Sequence, residues 1–194
     1  VIVYQMKTLK NNSERGFALP LALLLLVVMT IMGATLVNIT STEHNANTNK
    51  DSNQQTFYAA ESGISVAKSW MVGNISKFSS SPPNNLDNRL RFCKASFFPN
   101  LRSSNNGFHT DRKSLNQVIS ASGDEASRLG KYSFEYFIAY TPDQNGNNSS
   151  GRKKTGTNNI LYTIYSCGCN ESANKCNAQN NVIVPLEAVV TLVN

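Results

Sequence analysis

An uncharged stretch from Phe17 to Val37 interrupts an otherwise polar chain. It is apolar on every side, and a helix needs about 20 such residues to cross the hydrocarbon core of a bilayer. The pattern therefore predicts a transmembrane or filament-core helix over 17–37. Pro20 falls in its first turn, where the missing amide hydrogen does little harm. Gly33 is a weak point inside it, since glycine costs about 1 kcal/mol relative to alanine. Over 38–72 the helix is predicted to continue with a different character. Asn, Thr and Ser, indifferent helix formers, dominate as far as Gln55, so this part needs neighbours to hold it. Then Phe57, Ala60, Ile64, Ala67 and Met71 recur at three- and four-residue steps, a stripe suited to packing on a sheet. Glu61 lies beside the stripe and is expected to pair with Lys68 or a sheet residue; no second acid or base accompanies it for catalysis.

Residues 72–110 read as irregular, with turn material in Ser79–Asn85 and Ser103–Gly107. Between these, Leu90–Cys93 and Ser96–Phe98 carry enough apolar side chains to cover part of a core. Leu115–Leu129 is expected to hold a short helix interrupted at Ser122–Asp124. The sheet signal comes last. Tyr132–Tyr140 alternates in its first half and is aromatic throughout, Ile160–Cys167 reads as a second strand, and Val182–Val193 as a third. Pro185 forces that third strand to an edge, a bulge or a break. A long polar loop, Thr141–Gly151, separates the first two. With 194 residues, one apolar helix plus a globular domain over 73–194 is the natural count.

The formal charge of +6 is dispersed, which reads as a solvated surface rather than a nucleic-acid face. No G-x-S-x-G, P-loop or glycine-rich dinucleotide turn occurs. His44 and His109 are isolated from each other and from any cysteine. No catalytic site, cofactor or metal is expected, and the chain does not read as an enzyme.

Four cysteines remain: Cys93, Cys167, Cys169 and Cys176. If the apolar helix places the domain outside the cytoplasm, disulfides are the default. Four cysteines allow three pairings. Cys167 and Cys169 are too close for an easy bridge, whereas a Cys169–Cys176 link would close the loop between them and leave Cys167 for Cys93. The connectivity stays open, as does a zinc site, although Cys-x-Cys is not the usual zinc spacing.

The amino end adds a resemblance. Lys7, Lys10 and Arg15 ahead of Gly16, followed by Phe17 and an unbroken apolar helix, resemble the leader and processing site of type IV prepilins. Thr56–Gly63 resembles the Phe-x-Ala-Ala-Glu segment of PilX-type minor pilins, and Glu43 and Asn49 fall where that family carries a Glu and an Asn. The resemblance covers about the first seventy residues. It implies a leader over 1–16, with translation expected from Met6, a cut after Gly16 and methylation of Phe17. The three bases and one acid of the leader leave 15 − 11 = +4 on the remainder. The implied fold is α+β and pilin-like, a long amino-terminal helix packed on a carboxy-terminal antiparallel sheet.

One departure stands out. Most major pilins carry a glutamate at the fifth position after the cut, able to neutralise a neighbour's buried amino terminus; this chain has Leu21. An unpaired charge in an apolar surrounding is costly, so a subunit lacking that acid is poorly suited to repeat along a filament. The resemblance thus implies a minor pilin that primes or caps type IV pilus assembly. Its partners would be other major and minor pilins, the prepilin peptidase, the inner-membrane assembly platform and membrane lipid before assembly. It would be single-pass in the inner membrane first, then on the pilus, with its domain periplasmic or extracellular. A type II secretion pseudopilin is the alternative within that class. A pilus-tip adhesin or DNA-binding module, using the Asn-rich and cysteine-bounded loops against a host surface or DNA, is the alternative outside it.

Overall fold

A computed structural model describes residues 18–79, 86, 89–102, 106–148, 151–153, 155–156 and 159–192. The chain divides into two compact units, 1–49 and 50–194. In the first, the described part is helix α1, which spans Ala18–Gly73 as an element. Its apolar side chains from Leu19 to Ile39 are exposed. Thr30 and Thr35 turn their hydroxyls back to the carbonyls of Val27 and Met32, so the polar atoms that do occur here are satisfied within the helix.

The second unit is built on an antiparallel sheet. Its strands are β1 (Gly107–Ser114), β2 (Ser133–Tyr140), β3 (Arg152–Lys153), β4 (Ile160–Cys169) and β5 (Ile183–Thr191). β1, β2, β4 and β5 pair in succession as a meander, and the two-residue β3 pairs with the start of β4. Pro185 sits in β5 opposite Cys167, and β5 pairs only with β4. Of the edge, bulge or break expected for that proline, the edge is therefore the one it takes.

Strand periodicity sorts β2 and β4 into two buried faces. Phe134, Tyr136, Ile138, Tyr162 and Ile164 join a core with the carboxy-terminal part of α1. Phe137, Ala139, Tyr165, Cys167 and Cys169 join a second core under the irregular segment 86–102, which supplies Leu86, Phe92, Cys93, Phe98 and Leu101. Burial on both faces explains why β2 is aromatic throughout rather than alternating with polar residues.

Three sequence expectations change. Residues 107–110, read as irregular, begin β1; its charged Asp111, Arg112 and Lys113 suit an edge strand but give little strand signal. The short helix over 115–129 is α-helical only at Gly123–Leu129 (α2), with a single 3-10 turn at Leu115–Gln117. The stripe on α1 holds at Ala60, Ile64, Ala67 and Met71 but not at its start: Thr56, Ala59 and Gly63 are buried as well, whereas Phe57 is 39% exposed. The physical cause is proximity. A Cβ added to Gly168 of β4 would collide with the Thr56 carbonyl oxygen, and one added to Gly63 would meet Ser166 Oγ and the Phe134 ring. At that separation only small helix residues fit, and a phenylalanine must turn away.

Candidate assembly site

The residues expected to matter for assembly lie along α1. Gly16 and Phe17, the expected processing site, fall outside the described residues, as do Met6 and the leader. Leu21 is 54% exposed, and Gly33 has nothing near where a side chain would extend. By length and composition α1 contains a segment able to cross a membrane.

The carboxy-terminal part of α1 is fixed to the sheet. Ala60 is fully buried and its carbonyl accepts a hydrogen bond from Ser166 Oγ at 2.8 Å, a buried link between helix and β4. Ile64 is half-buried against the same core. Glu61, by contrast, is exposed and forms no ion pair among the described residues, so the partner expected for it, Lys68 or a sheet residue, is not found. Near the end of the helix, Trp70 stacks on His109 of β1 with ring centroids 3.9 Å apart, and Lys77 Nζ lies 5.2 Å from the Trp70 ring centre. Burial, with Lys77, Lys113 and Arg89 nearby, holds the His109 pKa below its ordinary value, although Asp111 pulls the other way.

The opposite face of the sheet is clamped covalently. Cys93 is bonded to Cys167 and Cys169 to Cys176, and no cysteine is free. Because Cys167 and Cys169 are two apart on one strand, both point to the same face, and each can reach a different segment there. One bridge ties down the irregular segment, the other the turn before β5. Among the described residues no cluster of histidine, cysteine and acidic side chains could hold a metal ion.

A second clamp was not singled out in the sequence. Glu135, 1% exposed in the middle of β2, accepts hydrogen bonds from three successive backbone amides, those of Arg91, Phe92 and Cys93, at 2.7–3.0 Å. Arg112 of β1 donates to the same carboxylate at 3.2 Å. A buried carboxylate needs such partners, and a run of irregular backbone beneath a buried surface needs an acceptor for its amides. Each supplies what the other lacks. The signal in the sequence was an acid set inside an aromatic strand, Phe134-Glu135-Tyr136.

Residues 15–65 match the PilX N-terminal family. Together with a long apolar helix packed on an antiparallel sheet, that match, confined to the amino-terminal segment, supports a PilX-like type IV pilin. No curated protein and no solved structure gives a significant match to the chain. The pilin family is structural, and the apolar helix fits membrane anchoring and association with other pilins in a pilus.

Proposed function

We propose that this chain is a minor pilin that primes or caps type IV pilus assembly. The observation carrying the reading is a pilin-type helix, exposed and apolar from Leu19 to Ile39, with Leu21 where a repeating subunit would carry an acid. The mechanism is helix packing. Stored in the inner membrane as a single-pass protein with its domain on the periplasmic side, the subunit exchanges lipid contacts for contacts with the helices of major and minor pilins at the assembly platform. Processing by the prepilin peptidase after Gly16 would leave a methylated Phe17 as the new terminus. Without a carboxylate at position 21, a neighbour's terminal charge has no partner here, which favours a place at the end of a filament.

The test is the intact mass and amino-terminal residue of the mature protein, together with its copy number in sheared filaments. A methylated Phe17 and an abundance far below that of the main subunit are expected. An uncut chain would overturn the pilin processing, and dominance in the filament would overturn the minor role. Recovery with a secretion complex instead of a pilus would move the chain to the pseudopilins.

A further inference from the structure

The face of the sheet opposite α1 carries a cleft of about 440 Å³ between the loop after β2 and strands β4 and β5. Its size lies within the roughly 300–1,000 Å³ of small-ligand sites. Four charged side chains from four separate stretches of chain line it: Arg102, Asp143, Arg152 and Glu187. Among the described residues none of the four forms an ion pair. Tyr165 of β4 also lines the cleft; it is fully buried, and its hydroxyl is a buried polar atom without any hydrogen-bond partner. The neighbouring hydroxyl of Thr163 is engaged with Thr141 Oγ1 at 2.9 Å. Buried polar groups are ordinarily satisfied, and an orphan of this kind in a native fold asks for a reason.

We infer that this cleft is a binding site for a neutral, hydroxyl-rich ligand, a single sugar ring of a glycan. Two guanidinium groups and two carboxylates cancel in charge, so neither an anion nor a cation gains on entry. A polyol gains from both signs, because each of its hydroxyls accepts from a guanidinium and donates to a carboxylate. Asp143 is partly committed, its Oδ1 accepting from the amides of Asn145 and Asn147, which fixes the loop and leaves Glu187 as the freer acceptor. Pro99, Pro142 and Val189 add apolar wall for the C–H face of the ring. Burial raises the Tyr165 pKa to about 12, opposed in part by Thr163, with Glu187 adding the least. The phenol therefore keeps its proton and is a donor at neutral pH. The inference does not depend on where the subunit sits in a filament.

The experiment uses the full chain in a zwitterionic detergent, since a sugar-headed detergent would compete. Glucose, galactose, mannose and N-acetylglucosamine are titrated by saturation-transfer NMR, with sialic acid and inorganic phosphate as charged probes. At least one neutral sugar should bind in the millimolar range. Arg102→Ala and Glu187→Gln, both exposed in the free protein, should each weaken it about tenfold. Tyr165→Phe should weaken it as well while leaving the melting temperature unchanged or higher, because it removes an unpaired buried hydroxyl. Absence of binding by all four sugars overturns the inference, as does equal affinity in the three variants. Tighter binding of sialic acid or phosphate than of any neutral sugar also overturns it and makes the cleft an anion site.

Discussion

The two faces of the sheet are covered in opposite ways. On one, an uninterrupted helix lies so close that glycine at 63 and 168 and alanine at 59, 60 and 67 are the residues that fit, joined by a buried side-chain hydrogen bond from Ser166 to Ala60. On the other, an irregular segment covers Phe137 and Tyr165 and is pinned by a disulfide and a buried carboxylate. A helix satisfies its own backbone, so packing alone holds it; irregular backbone must be given acceptors and, here, a covalent tie. The same sheet thus shows two solutions to one problem, and each fails in its own way.

The largest effect is expected on the covalent face. Cys93 and Cys167 are 74 residues apart and Cys169 and Cys176 only 7. By the loop-closure argument, removing the first bridge destabilises by about 4.5 kcal/mol and removing the second by about 2.5 kcal/mol. Replacing each pair with serine, and measuring denaturation midpoints of the full chain in detergent, should reproduce that order. A larger loss from the 169–176 pair would mean that the bridge near β5 acts on the native fold rather than on the unfolded chain.

The packed face should break with one methyl group. Gly168→Ala places a Cβ against the Thr56 carbonyl oxygen and 2.8 Å from the Ala60 amide nitrogen, both of them backbone. Neither can swing aside as a flexible side chain would, so a loss of about 2–3 kcal/mol is expected. Gly73→Ala, where nothing lies within 4 Å, serves as the matched control and should stay within about 0.5 kcal/mol of the parent. Equal melting temperatures for the two variants would contradict the close approach of helix and sheet.

That contrast also explains what the sequence did and did not make legible. Residues 17–37 announce themselves by an unbroken apolar run, and the aromatic strand around Phe137 by burial on both faces, which leaves no polar alternation to blur the signal. The cysteine connectivity stayed open in the sequence, where a Cys169–Cys176 link leaving Cys93 for Cys167 was one of three pairings; it is the pairing the structure has. The helix face was placed rightly from Ala60 to Met71 but wrongly at its start, because periodicity counts apolar residues whereas the contact selects small ones, so Phe57 was put inside and Thr56 was overlooked. β1 was hidden by Asp111, Arg112 and Lys113, charges that an edge strand tolerates. Glu135 was missed because its role lies in backbone amides more than forty positions away, which no local pattern encodes.

The smallest predicted effect tests the seam where α1 meets the edge strand. His109 stacks on Trp70 and lies 5.9 Å from the Tyr136 ring, half-buried, with Asp111, Lys77, Lys113 and Arg89 as its charged neighbours. Its folded pKa is lowered from 6.5, chiefly by burial. As pH falls through 6.5 the unfolded chain takes up a proton that the folded chain refuses, so stability declines until the folded pKa is also passed. Above 6.5 the histidine is neutral in both states and the slope vanishes. A fall in melting temperature between pH 7 and pH 5 is therefore expected, with a part of it attributable to this residue. His109→Phe keeps a ring for Trp70 to stack on and removes the titration, so that part of the fall should disappear while stability at pH 7.5 changes little. An identical pH profile in parent and variant would show that His109 is protonated as easily in the fold as out of it, and that the seam is open to water.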